Sequence, residues 1–174
     1  DWIVLKQDDV KEFLGYDHSD AKIIITKYRS IVVKGQTKFQ LIFNLTPFYP
    51  EGGGQVGDTG FIEDNQGKVD IKDTKKENGV IVHFVDELPK NLNTSFHGQV
   101  DIERRTKISK NHSATHLLHH ALREVLGTHV EQKGSLVNEN YLRFDFSHFS
   151  KLNPQDIELL EQKVNKQIRE ANSL

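Results

Sequence analysis

Two different patterns of apolar and polar positions divide the chain. From residue 22 to 102, short apolar runs alternate with turn signals. Ile23-Ile24-Ile25, Ile31-Val32-Val33 and Phe39-Gln40-Leu41-Ile42-Phe43 are β-branched or aromatic, and Lys34-Gly35-Gln36 reads as the turn before the third. Further strands are predicted over 60–63, 69–71, 80–85 and 96–102, separated by Asp64-Asn65-Gln66-Gly67, Glu77-Asn78-Gly79 and Leu88-Pro89-Lys90-Asn91. Many short strands at this spacing predict a small barrel or sandwich. A short helix is predicted over 5–15.

Near residue 109 the period changes. Ala114, Leu117, Leu118, Ala121, Leu122, Val125 and Leu126 recur at the spacing of one helical face, with Ser109 or Asn111 as cap and Gly127 as terminator. Two strands follow, over 134–137 and 141–146, joined at Asn138-Glu139-Asn140. A second helix opens on Asn153, Pro154 and Asp156, with Ile157, Leu160, Val164 and Ile168 as a narrow apolar stripe. The expected fold is therefore α+β. A β-rich part over 1–105, barrel or sandwich, precedes a helix–strand–strand–helix part over 106–174, and that second part has too little sheet to cover two helices.

Composition narrows the function. The 174 residues carry a formal net charge of −2, which excludes a protein that holds nucleic acid by bulk positive charge. No apolar run approaches the roughly 20 residues of a membrane helix, and Lys6, Asp8, Asp9, Lys11 and Glu12 do not form a signal-peptide pattern. There is no Cys, hence no thiolate ligand and no disulfide. The chain begins at Asp1 and holds no Met, so an internal piece of a longer protein, or a processed chain, is expected.

Three clusters can carry chemistry. His112 and His116 lie about 40° apart around the helix axis and about 6 Å apart along it, a spacing that lets two imidazoles grip one Zn²⁺. His119, His120 and Arg123 share that polar sector; a merely solvated face has the same spacing, and His83, His97 and His129 are scattered singles. Thr46-Pro47-Phe48-Tyr49-Pro50-Glu51-Gly52-Gly53-Gly54-Gln55 leads into Gly57-Asp58-Thr59-Gly60. Consecutive glycines allow close backbone approach or positive φ, for a ligand or for a tight corner turn. Arg104, Arg105, Lys107 and Lys110 form a basic run that suits a phosphate-bearing substrate or a solvated helix start.

The stretches 46–60, 111–118 and 126–137, continued by Leu142-Arg143-Phe144-Asp145-Phe146-Ser147-His148, resemble the editing domain of bacterial-type alanyl-tRNA synthetase. Gly15-Tyr16 and Lys27-Tyr28-Arg29 extend the resemblance over essentially the whole chain. It implies a small glycine-rich β-barrel followed by the N-terminal part of an α/β two-layer sandwich. It further implies a cytoplasmic enzyme that hydrolyses Ser or Gly from alanine tRNA. His112 and His116 match two zinc ligands, and Thr46 the threonine that recognises the serine hydroxyl. Gln132 and Thr115 match the pocket wall, and they and Thr46 are given catalytic roles; Gly53, Gly54 and Gln55 match the loop facing the aminoacyl end, and Arg105 is assigned to substrate. The threonine, the loop and the histidine pair are expected to line one pocket.

The family's remaining ligands, a Cys-x-x-x-His element, lie beyond residue 174, so half a zinc site and a poorly active fragment are expected. ATP belongs only to the aminoacylation part, which this chain lacks. The partners implied are the alanine tRNA acceptor end and the rest of a parent synthetase, with no membrane. A free-standing trans-editing deacylase, a non-catalytic tRNA-binding module and an unrelated zinc hydrolase are the competing readings.

Overall fold

A computed structural model describes residues 1–7 and 12–171. In chain order the strands are β1 (Ile3–Val4), β2 (Glu12–Phe13), β3 (Asp20–Val33), β4 (Gln36–Phe43), β5 (Leu45–Thr46), β6 (Gly60–Asp64), β7 (Gly67–Ile71), β8 (Asp73–Glu77), β9 (Val80–Val85) and β10 (Ser95–Val100). Helix α1 (Ile102–Leu126), the ribbon β11 (Gln132–Val137) and β12 (Leu142–Phe146), and helix α2 (Pro154–Ala171) follow. The fold is mixed α+β and mostly antiparallel. Two compact units are formed: 1–52 with 56–105, and 53–55 with 106–174.

The first unit is built on one antiparallel sheet in the order β7-β6-β10-β3-β4-β9-β8, with β1 also on β3. Strand β3 pairs with β10 through Asp20–Ile24 and with β4 from Ile25 onward; the register shifts between Ile25 and Lys27. Such an irregularity bends a strand and lets one long element serve two neighbours. Eleven buried side chains form one core, drawn from β3 (Ile23, Ile25), β4 (Leu41, Phe43), β6 (Ile62), β7 (Val69, Ile71), β9 (Val85), β10 (Phe96, Val100) and the segment after β5 (Phe48). The sheet thus wraps one interior, but it is not a closed barrel: the hydrogen-bonded path ends at β7 and at β8.

At Gly60 an added Cβ would stand 2.0 Å from the Gln99 carbonyl oxygen and 2.9 Å from the Phe48 ring, so only glycine lets β10 and Phe48 close in.

The predicted strands at 23–25 and 31–33 are one strand, because the intervening Lys27–Ser30 is paired across to β4. Strand β8 was missed. Its sequence Asp-Thr-Lys-Lys-Glu has no apolar alternation, yet it pairs with β9 across the two-residue turn Asn78-Gly79, both at positive φ (49° and 80°). The helix predicted over 5–15 is not seen: residues 5–7, 14 and 15 are not helical and β2 occupies 12–13, with residues 8–11 outside the described residues.

Helix α1 begins at Ile102, seven residues before Ser109, and its body from Thr106 belongs to the second unit. Asp101 Oδ1 accepts the Arg104 N–H at 3.0 Å, which makes Asp101 the cap and shortens the predicted strand over 96–102. Gly127, at φ 120°, ends the helix as expected, its N–H donating to the Arg123 carbonyl at 3.1 Å. The hairpin β11–β12 turns on Asn138, whose Oδ1 accepts the N–H groups of Asn140 and Tyr141. Helix α2 starts on Asn153, which accepts from the Asp156 N–H at 2.7 Å. Ala121, Leu122, Val130 and Leu160 form the core of this unit.

Candidate functional site

The histidine pair occupies consecutive turns of α1 as its spacing requires. The Nε2 atoms of His112 and His116 face each other at 3.2 Å, with ring planes at 65°. Two facing imidazole nitrogens need a proton or a cation between them, since two lone pairs repel. Nitrogens bound at about 2.0–2.1 Å to one tetrahedral zinc stand about 3.3 Å apart, so the pair fits half of such a site. Among the described residues no group of three or more His, Cys, Asp or Glu could hold a metal ion, so the other ligands are not in this set. A ligating imidazole normally gives its second N–H to an acceptor. Nδ1 of His112 is buried and lacks one, as does Nε2 of His119. His119 is turned to the hairpin, its ring 5.1 Å from that of Phe144, rather than to solvent.

The glycine loop belongs to the same unit. Gly53 and Gly54 take positive φ (59° and 82°), and the Gly54 carbonyl accepts the Val137 N–H at 2.7 Å. Gln55 bridges to Val137, and a Cβ on Gly54 would lie 2.7 Å from the Ser135 carbonyl oxygen. The glycines therefore serve the docking of the loop on β11. Within α1, Asn111 donates to the Asn138 carbonyl at 2.8 Å, just past the end of the same strand. Loop, hairpin end and the histidine-bearing part of α1 are thus tied together by β11. Thr115 is buried and its hydroxyl donates back to the Asn111 carbonyl at 2.9 Å. Gln132 is exposed at the start of β11, beside the register shift at Gly134.

Thr46 belongs to the first unit, on β5. It is buried, and its hydroxyl lies 2.7 Å from His83 Nε2. His83 Nδ1 is 3.1 Å from the Leu41 carbonyl oxygen, and the ring stacks on Phe43. Complete burial pushes the His83 pKa down to about 3, so the ring is neutral. Thr46 and His83 line a cavity of about 140 Å³ with Phe13, Phe43, Lys76 and Ile81. Sequence reading passed over His83 as an isolated histidine; its place in the run Val80-Ile81-Val82-His83-Phe84-Val85 signals a polar group carried on a buried strand.

Arg105 requires a correction. Instead of facing substrate, its guanidinium donates to the Asp58 carboxylate through Nε (3.0 Å) and Nη2, to Pro47 O (2.6 Å), and to Gly15 O and His18 O through Nη1. Every N–H of the fork is committed within the first unit, so none remains for a phosphate. Asp58 is 1% exposed and also accepts the Tyr49 N–H at 2.7 Å. The Gly57–Gly60 motif thus carries a buried acid whose partner is Arg105. A buried carboxylate held on one oxygen by both a guanidinium and a backbone N–H is a structural clasp.

Residues 3–105 match the family model described as tRNA synthetases class II (A). Similar curated proteins are named alanine–tRNA ligases. That of Christiangramia forsetii is 52% identical over 100% of this chain. Those of Flavobacterium psychrophilum and Bacteroides thetaiotaomicron are 50% and 47% identical, each over 97% of it. The chain spans about a fifth of the length of these relatives (20%, 20% and 19%). No helix among the described residues is long and apolar enough to cross a membrane.

Proposed function

Since the chain belongs to the class II (A) tRNA synthetases, we propose that it is an editing segment of an alanine–tRNA ligase, which hydrolyses the ester joining serine or glycine to alanine tRNA. Such an activity has a chemical rationale. A pocket made for a methyl side chain cannot strongly exclude glycine, and serine adds only a hydroxyl, so discrimination by binding needs a second, hydrolytic site. Binding to the acceptor end of alanine tRNA and operation within a larger synthetase chain belong to the same reading.

The observation that carries it is the facing of His112 and His116 at 3.2 Å in the unit that also holds the Gly53–Gln55 loop. The two Nε2 atoms would hold a zinc ion together with ligands from outside this chain, and the metal would supply Lewis acidity toward an ester carbonyl or water. The backbone of Gly53 and Gly54, held on β11, offers a fixed surface for an aminoacyl end. Gln132 and Thr115 are assigned to the pocket wall, and Thr46 to recognition of a serine hydroxyl. ATP would be used only by the aminoacylation part of the parent enzyme.

The test is substrate discrimination by a full-length parent enzyme carrying this segment. It should release serine and glycine from charged alanine tRNA and leave alanine in place. Binding of tRNA without hydrolysis would favour a non-catalytic module, and hydrolysis of esters lacking tRNA would favour an unrelated hydrolase.

A further inference from the structure

Strand β3 runs for 14 residues, and its far end has a neighbour on one side only. It pairs with β10 over Asp20–Ile24 and with β1 at Lys27 and Tyr28, whereas β4 accompanies it to Val33. Past Tyr28 no strand lies on the β1 side among the described residues. The register fixes where each main-chain group points. Val33 and Gln36 close the two-residue turn Lys34-Gly35, with φ of 51° and 76°, so Val33, Ile31 and Arg29 bond to β4. Ser30 and Val32 therefore turn their N–H and C=O groups to the other edge. On that edge the Leu5 N–H donates to the Thr26 carbonyl at 2.8 Å, and the same alternation runs through Tyr28 to Ser30 and Val32. The side chains there are apolar and open: Val32 is 74% exposed and Val33 43%. Ile31-Val32-Val33 has neither the charge nor the proline that ordinarily blunts an edge strand.

Strand β1 is already aligned with this edge. Ile3 faces Tyr28 and Val4 faces Lys27. One step on, the Arg29 guanidinium lies 4.4 Å from the centre of the Trp2 ring, held there by Gln40 at 2.6 Å and Glu77 at 2.8 Å. We propose that the open edge of β3 is the docking site for the stretch of a parent chain that leads into Asp1, which continues β1 as an antiparallel strand. The three residues before Asp1 then face Ile31, Val32 and Val33 in turn, a reach of about 10 Å. This chain is 20% of the length of the Christiangramia forsetii ligase, so a parent chain has residues to supply that strand. The residue two places before Asp1 exchanges both main-chain bonds with Val32, and the added strand covers the Val32 side chain. The same pairing fixes the direction from which the preceding part enters the first unit. The proposal rests on membership of a longer synthetase and is independent of the editing reading.

The experiment is residue-resolved hydrogen exchange on a full-length parent enzyme. The Val32 amide should exchange at least about tenfold more slowly there than in the chain beginning at Asp1, while the Arg29, Ile31 and Val33 amides are protected in both. Two prolines introduced separately into the parent enzyme test the register. A proline two residues before Asp1 removes one of the two bonds to Val32 and should speed exchange of the Val32 amide at least about fivefold. A proline directly before Asp1 has its missing N–H on the outer side and should leave Val32 protected. This pair is read in the parent enzyme alone, so it does not depend on the shorter chain folding. Fast Val32 exchange in the unsubstituted parent, or equal responses to the two prolines, would overturn the inference. So would Val32 protection in the chain beginning at Asp1 that grows with its concentration, which marks a second copy on the edge. Serine release enters none of these readouts, so the editing reading is tested separately.

Discussion

The two units manage their interiors differently. In the first, ten buried side chains from six strands of one sheet and Phe48 beside them share a core, and the buried polar groups Asp58, Thr46, Thr74 and His83 each have hydrogen-bond partners. In the second, four buried residues support two helices and a two-stranded ribbon. An apolar groove of about 330 Å³ is open there among Leu118, Leu142, Phe146, Leu152, Ile157 and Val164. Ile157 and Leu159 of α2 are 46% and 43% exposed. Among the described residues, the buried side-chain atoms without a hydrogen-bond partner, His112 Nδ1, His119 Nε2 and Gln167 Oε1, all lie in this second unit. The first unit satisfies these buried polar groups itself, whereas the second leaves buried imidazole nitrogens without a partner among the described residues.

Breaking the Asp58 clasp should have the largest effect. Arg105→Ala strands a buried carboxylate and should cost about 3–5 kcal/mol in denaturant unfolding of the first unit. A cost below about 1 kcal/mol would return Arg105 to the surface and to the substrate. Core truncations should separate the units almost as sharply. Phe48→Ala, at a fully buried site, should cost about 3–5 kcal/mol, whereas Ile157→Ala on the open helix face should cost less than about 1. Similar costs at the two positions would erase the contrast.

Acid should act on the first unit through His83. Its folded pKa of about 3 lies below the unfolded value near 6.5, so the unfolded chain binds the extra proton between these limits. The stabilisation is complete above pH 6.5 and is lost as pH falls toward 3, by up to about 1.4 kcal/mol per pH unit. In His83→Asn that acid limb should be shallower in pH-dependent denaturation. His97 has the opposite sign. Its hydrogen bond to Asp20, 2.9 Å long, and then its proximity to Glu63 raise its pKa. That contribution is present below pH 6.5 and disappears as pH rises through the raised value, and solvent exposure keeps it small. The smallest effect expected is with metal: calorimetric titration of this chain with zinc should show no tight stoichiometric binding, because two imidazoles are half a ligand set.

Legibility in the sequence followed the same division. Elements with an apolar period or a cap could be read directly: β4, β9, the β11–β12 hairpin, Gly127 as a terminator and Asn153 as a cap. Strand β8 could not, since its pairing comes from the Asn78-Gly79 turn and from β9, and its own residues are polar. The start of α1 was masked because Glu103, Arg104, Arg105 and Lys107 carry no apolar stripe, although Asp101 is a recognisable cap. The histidine pair was legible because helical spacing is a local property. The pairing of Arg105 with Asp58, 47 positions apart, and of Thr46 with His83, 37 apart, was not, because contacts between residues so distant in the chain leave no local pattern in the sequence.

The account's central claim concerns the imidazole pair. It is tested most directly by the rate at which a full-length parent enzyme carrying His116→Ala releases serine from seryl-tRNA(Ala), with alanine charging by the same preparation as the control for folding. A loss of about 100-fold or more, as for removal of a group that acts on the reacting centre, is predicted. Serine release at the unsubstituted rate would contradict it.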